Sequence, residues 1–178
     1  MVIRSQWDIS GFSELVATRS PALFRTAYGV VGDHQLAQDL LQEALVKAYV
    51  AWPRLKDVTK AEAYVRRTIV TTAISWRRRP SFHERPADSL PDVGSSDDTE
   101  QIATHDVVWQ QVCNLPPRQR AALVLRYYEG RSEAETAELL GCSVGTVKSQ
   151  VAAALDKLRD RIGGDSGVLL PEDEGVTR

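Results

Sequence analysis

The chain has 178 residues, 22 Lys and Arg against 24 Asp and Glu, a net charge of −2 and 43% hydrophobic residues. That balance excludes a disordered chain, which needs lower hydrophobicity and higher net charge, and no apolar run of about 18 residues is present to span a membrane. It also speaks against a free-standing DNA binder, whose phosphate contacts need a basic excess. The opening residues MVIRSQWDISG lack the apolar core of a secretion signal, so the chain is expected to stay in the cytoplasm, without membrane insertion. Cys113 and Cys142 have neither CxxC spacing nor a neighbouring His and read as small buried hydrophobes; no metal and no cofactor is expected.

In chain order, a short helix is predicted near residues 11–19. Ser20 and Pro21 then read as the cap and first turn of a second helix that buries Leu23, Phe24, Ala27, Tyr28 and Val31. From Gln35 to Trp52 the apolar residues Leu36, Ala37, Leu40, Leu41, Ala44, Leu45, Ala48, Tyr49 and Trp52 recur with helical period, with Asp33 as N-cap and Pro53 as stop. The opposite face carries Gln38, Asp39, Gln42, Glu43 and Lys47. Thr59 and Glu62 have capping-box spacing and open a fourth helix that ends at Pro80. These four helices are expected to form one bundle over residues 8–80.

Residues 81–105 combine Pro, Gly, Ser and Asp without apolar periodicity and read as a flexible acidic linker. A second bundle is expected over 106–163. A helix near 105–114 offers Val108, Trp109, Val112 and Cys113 to a core, and LPPRQRAALVLRYYEG supplies a proline start and Gly130 as a stop. Ser132 and Glu135 repeat the capping-box spacing, and Gly141 closes that helix. Ser143 caps a last helix with Val144, Val147, Val151, Leu155, Leu158 and Ile162 on one stripe. Residues 164–178 read as a mobile acidic tail. With no alternating β pattern, the fold class is all-α: two small helical domains joined by the linker, the second holding a helix-turn-helix.

Ser132 to Ile162 has the short helix, glycine-bearing turn and longer helix of that motif. With the stripe inward, Gly145, Thr146, Lys148, Ser149, Gln150, Ala152 and Ala153 face outward. Gln suits adenine, Lys suits guanine or phosphate, and Thr and Ser suit phosphate oxygens. A plain helical hairpin with a solvated face has the same spacing. In the helix before the linker, Tyr64 and Trp76 lie among Arg66, Arg67 and Arg77 to Arg79. Aromatic faces beside guanidinium groups hold unstacked bases, while arginines at a helix C-terminus also suit the macrodipole with no ligand. No catalytic residue emerges: phosphate loop, HExxH and GxSxG motifs are absent and the three histidines are scattered, so the chain is not expected to be an enzyme.

LPPRQRAALVLRYYEGRSEAETAELLGCSVGTVKSQVAAALDKLR resembles the promoter-reading region 4 of bacterial sigma factors, and GDHQLAQDLLQEALVKAYVAW resembles the helix by which region 2 docks on core RNA polymerase. Two regions without extras resemble the extracytoplasmic-function group of the sigma-70 family, with similarity to its actinobacterial SigE-like branch. The resemblance implies that Asp39, Leu40, Gln42 and Glu43 bind polymerase, whose β and β′ subunits and promoter DNA are the expected partners, with an anti-sigma factor as a further partner class. It implies that Tyr64, Arg66, Arg67, Thr71, Trp76 and Arg77 melt and hold the −10 element. It implies that Ser143, Thr146, Lys148, Ser149 and Gln150 read the −35 element, and that the linker threads the active-site cleft. Thr71 and Ser75 stand where the family usually has Asn and Asp. Ala152-Ala153-Ala154 replaces a stretch that commonly includes Arg, which implies modest −35 affinity resting on polymerase. A helix-turn-helix regulator acting without polymerase and a helical protein-binding adaptor are the alternatives.

The overall charge hides opposite segments. Residues 60–80 hold six basic residues and one acidic, whereas 81–114 hold one basic and seven acidic. The basic segment coincides with a proposed DNA reader, so the near-neutral sum fits a protein that binds promoters poorly alone and well on polymerase.

Overall fold

Three long helices build the first unit: α1 (Trp7–Val31), α2 (His34–Leu55) and α3 (Val58–Trp76). The computed structural model describes residues 7–55, 57–76 and 107–162; the expected linker, the tail and Arg77 to Pro80 lie outside them. Where two helices were expected before residue 32, α1 is continuous, with Pro21 inside it. Proline removes one backbone donor and leaves the carbonyl four residues earlier without its partner. Ala17 and Pro21 are both exposed, so water can serve that carbonyl, while Leu15, Leu23 and Ala27 bury the opposite stripe across the proline.

Likewise α2 runs past Pro53 to Leu55, because the proline sits on the exposed side of the last turn while Trp52 is held inside against Phe12. Tyr49, counted above with the apolar stripe, is exposed. Between α1 and α2 the chain turns at Gly32, whose φ of +73° suits glycine, and the Asp33 carboxylate accepts from Leu36 N at 2.7 Å, capping α2 as expected. The cap of α3 is Asp57 rather than Thr59: Asp57 Oδ1 accepts from Lys60 N at 3.0 Å.

The second unit starts with a helix over residues 107–113, here α4. Then α5 (Pro117–Leu123) opens on a proline and runs on as a π-helical turn, Val124–Tyr128, closed by Glu129 N donating to Val124 O. The Ser132 and Glu135 capping box forms in full at the start of α6 (Glu133–Leu140). Gly141, at φ +63°, makes the turn into α7 (Val144–Ile162). Val147, Val151, Leu155 and Leu158 are buried as the stripe predicts, but Val144 is exposed. Cys113 is buried, its Sγ accepting from Arg120 Nη2 at 3.3 Å, whereas Cys142, also expected inside, is half-buried; neither is in a disulfide.

The two units are docked, not merely tethered. Tyr28 of α1 and Trp109 of α4 stack with ring centroids 5.7 Å apart and planes 10° from parallel, and the buried apolar residues of both units form one continuous core.

Candidate nucleic-acid and protein-docking faces

On α2, the residues left outside the core form one face. Asp39 and Gln42 are exposed and Glu43 is half-buried; Gln35 donates to Asp39 Oδ1 at 3.1 Å, and Lys47 pairs with Glu43 at 2.6 Å. Leu40 does not belong to it. Its side chain is 0% exposed, packed in the core, so it supports the face from behind and cannot touch a partner. Beside Asp39 a groove of about 630 Å³ opens between α1 and α2, lined by Ser20, Pro21, Phe24, Gln38 and Gln42 among others. Toward the helix end the face turns apolar, with Val46 61% and Val50 75% exposed. Counting the apolar period alone missed these two, although large apolar side chains off the buried stripe are visible in the sequence as a signal of docking.

On α3 the outward stripe runs through Tyr64, Arg67 and Thr71, spaced three and four apart. Thr71 Oγ1 donates to Arg67 O at 2.8 Å, which spends its proton on the helix and leaves its lone pairs outward as acceptors. Trp76 is partly buried against the core at the end of this helix, and Arg77 lies outside the described residues. Arg66 corrects the expectation. One position before Arg67, it sits about 100° around the helix and is only 6% exposed. It donates to Thr26 Oγ1 at 2.6 Å, to Glu62 at 3.0 Å and to Glu129 of the second unit. Those donors are committed inside the protein and face no nucleic acid in this conformation.

In the helix-turn-helix, Ser143 Oγ accepts from Thr146 N at 3.1 Å and lies 2.9 Å from Thr146 Oγ1, fixing the first turn of α7. Ser149 Oγ donates to Thr146 O at 2.9 Å. Lys148 is exposed and lies 3.6 Å from Glu133, an ion pair weak enough at the surface for a phosphate to replace. Thr146 and Gln150 are half-buried at the edge of the face, whereas Lys148 and Ser149 are at its centre. Val144, exposed on the first turn, adds an apolar contact suited to a thymine methyl. Of the alanine run, Ala152 lies on the Lys148 face, but Ala154 is 0% exposed and belongs to the core, where no arginine fits. The Glu135 carboxyl is held below its usual value by the Ser132 backbone N–H, then by the Ser132 hydroxyl and the Arg131 side chain, which marks a structural cap and not a reacting group.

Known proteins align with both units in the same order. Residues 15–82 match the family model for sigma-70 region 2, and residues 105–158 match that for sigma-70, region 4. The RNA polymerase sigma-E factor of Streptomyces antibioticus is 42% identical over 158 residues, covering 89% of this chain and 88% of its own. The ECF RNA polymerase sigma factor SigM of Mycobacterium tuberculosis is 31% identical over 157 residues, covering 88% of this chain and 79% of its own. Among solved structures, the sigma factor RpoE in complex with the anti-sigma factor NepR from Bartonella quintana shares the fold, with a TM-score of 0.65 at 23% identity over 86% of this chain and 98% of that one. The chain therefore belongs to the extracytoplasmic-function group of the sigma-70 family: it is a non-enzymatic RNA polymerase sigma factor that binds core polymerase and directs it to particular promoters to begin transcription.

Proposed function

We propose that the three faces divide the work of initiation, in the cytoplasm where core polymerase acts. The α2 face, through Asp39, Gln42 and Glu43 and extended by Val46 and Val50, docks on polymerase β′. The second unit is held on β. The α3 stripe of Tyr64, Arg67 and Thr71, with Trp76 and Arg77 beyond it, opens the −10 element and holds an unstacked base. On α7, Ser143, Thr146, Lys148, Ser149 and Gln150 read the −35 element, with Val144 beside them. Leu40 and Arg66 are left out, because both are buried.

The observation that carries this reading is the α3 stripe: aromatic, cationic and hydroxyl side chains aligned outward on a helix whose other face is core, in the unit that matches region 2. Residues 8–80 and 106–163 are the two working domains, with 81–105 lying in the cleft and 164–178 as a tail. Each DNA contact is weak and acts at high effective concentration once the protein sits on polymerase. An anti-sigma factor, such as the one bound by the Bartonella quintana relative, is the second protein partner.

The test is promoter-directed transcription with purified core enzyme. Thr71→Ala and Lys148→Ala should each lower transcript from a cognate promoter several-fold, Lys148→Ala through the −35 element and Thr71→Ala through the −10. Unchanged promoter choice in both would overturn the assignment.

A further inference from the structure

The first helix of the helix-turn-helix, α6, carries three carboxylates, and they are not equivalent. Glu135 is committed to the cap: it accepts from Ser132 N at 2.8 Å and pairs with Arg131 at 3.3 Å. Glu138 is exposed farther along the helix. Glu133, the first residue of α6, instead reaches across the turn to the following helix, where its Oε2 stands 3.6 Å from Lys148 Nζ. Both side chains keep access to solvent, 39% for Glu133 and 49% for Lys148, and an ion pair so exposed adds little to stability. Neither helix depends on it, because Ser132 caps α6 and Ser143 caps α7. The pair therefore stands on the DNA-reading face without a structural duty.

A carboxylate in that place is costly on duplex DNA at large. The backbone presents one negative charge per about 1.7 Å of helix axis, and a phosphate that takes Lys148 leaves Glu133 facing like charge. One donor beside one acceptor has a counterpart on the floor of the major groove. In a G·C pair the cytosine N4 donates to the guanine O6 over about 2.9 Å, and the second N4 hydrogen and the free lone pairs of guanine O6 and N7 face the groove. A donor and an acceptor 3.6 Å apart match that edge, with the Lys148 ammonium on O6 and N7 and the Glu133 carboxylate on N4. A T·A pair in the same orientation offers O4 and N6, but sets the thymine methyl where N7 would serve the lysine. The reversed pairs, C·G and A·T, set donor against donor and acceptor against acceptor.

We propose that Glu133 is a specificity-determining residue of the −35 reader: with Lys148 it selects one G·C base pair in a fixed orientation, and where that pair is missing its charge repels the duplex. This rests on the assignment of α7 as the −35 reader. Discrimination comes from both sides, an acceptor for the right cytosine and a penalty on every other edge.

A base-pair scan tests it. Core polymerase with the full chain transcribes from a cognate promoter in which each −35 base pair is replaced in turn by the other three. The parent should show one position where G·C exceeds both reversed pairs by about fivefold or more, with T·A between them. Glu133→Ala and Lys148→Ala should each flatten that same position to within about twofold, Glu133→Ala by raising transcript from the reversed-pair templates. Preferences at the other −35 positions should persist in Glu133→Ala, which reports that the variant is folded. A parent without such a position overturns the proposal. So does an equal gain by Glu133→Ala on every template, which would make Glu133 a source of repulsion alone, or no change on any, which would make it a solvated helix residue. If Lys148→Ala flattens a position that Glu133→Ala leaves intact, the proposal fails alone; if Lys148→Ala leaves every −35 preference unchanged, the reader assignment has failed.

Discussion

The Glu135 carboxylate shows how one residue sets a pH response. Its folded-state pKa is lowered from 4.5 by hydrogen bonds from Ser132 and by Arg131, so its contribution to stability is present above that value and is lost as the pH falls through the lower folded one. Thermal melts of the parent and Glu135→Gln should therefore differ at neutral pH and converge on acidification; a constant gap would show that the charge is not what stabilises the cap. On α7, adjacent-looking alanines should diverge. Ala152→Arg adds a cation beside Lys148 and should strengthen −35 binding with a steeper salt dependence, about one unit in the log–log slope. Ala154→Arg buries a charge in the core and should unfold the second unit, as circular dichroism would report. Both alanines were legible as a run in the sequence, but only packing separates them. The same holds for Arg66 and Arg67: adjacent in sequence they look equivalent, and the partner that claims Arg66, Glu129, is 63 residues away, beyond any local pattern.

At the scale of elements, period and caps carried most of what was read correctly. Asp33, the Ser132–Glu135 box and Gly141 each act locally, so the residues that encode them lie within four positions of one another. Prolines misled for a physical reason. Pro21 and Pro53 both lie on exposed helix faces, where the carbonyl they disable can turn to water and the buried stripe continues beneath. The continuous α1 in turn lines the groove beside Asp39 with Ser20, Pro21 and Phe24, a feature that two separate helices would not have foretold. Asp39→Ala with Glu43→Ala should weaken binding to core polymerase about tenfold, or about 1.4 kcal/mol, with helical content unchanged. Adding Val50→Asp should weaken it further, since an exposed valine at the end of that face has no role in the fold. Equal pull-down of core enzyme by parent and variants would count against the α2 face as the dock.

For the molecule as a whole, the ion pair of Arg66 with Glu129 ties the first unit to the second inside their shared seam. Removing one member of a buried ion pair costs about 3–5 kcal/mol when the other must stay buried. Here both partners lie in a seam that belongs to one continuous core, so the charge left behind stays largely buried. Arg66→Glu should therefore lower the melting temperature, and adding Glu129→Arg should restore part of the loss. No recovery in the double variant would show that the pairing itself does not stabilise the seam. This arrangement was illegible in the sequence, which presents two bundles and a linker, because docking depends on pairs such as Tyr28 with Trp109 and Arg120 with Gly29 that no spacing rule connects.

Gly29 records how closely the two units approach. It lies inside α1, where alanine would favour the helix by about 1 kcal/mol, and the nearest atoms that a methyl group would meet, Val124 Cγ1 at 2.7 Å foremost, all belong to the second unit. Gly29→Ala should thus set two effects against each other, improving α1 while crowding the seam. A melting temperature below the parent's would show that the crowding outweighs the helix gain, and Val124→Ala, which removes the atom met first, should then recover part of the loss.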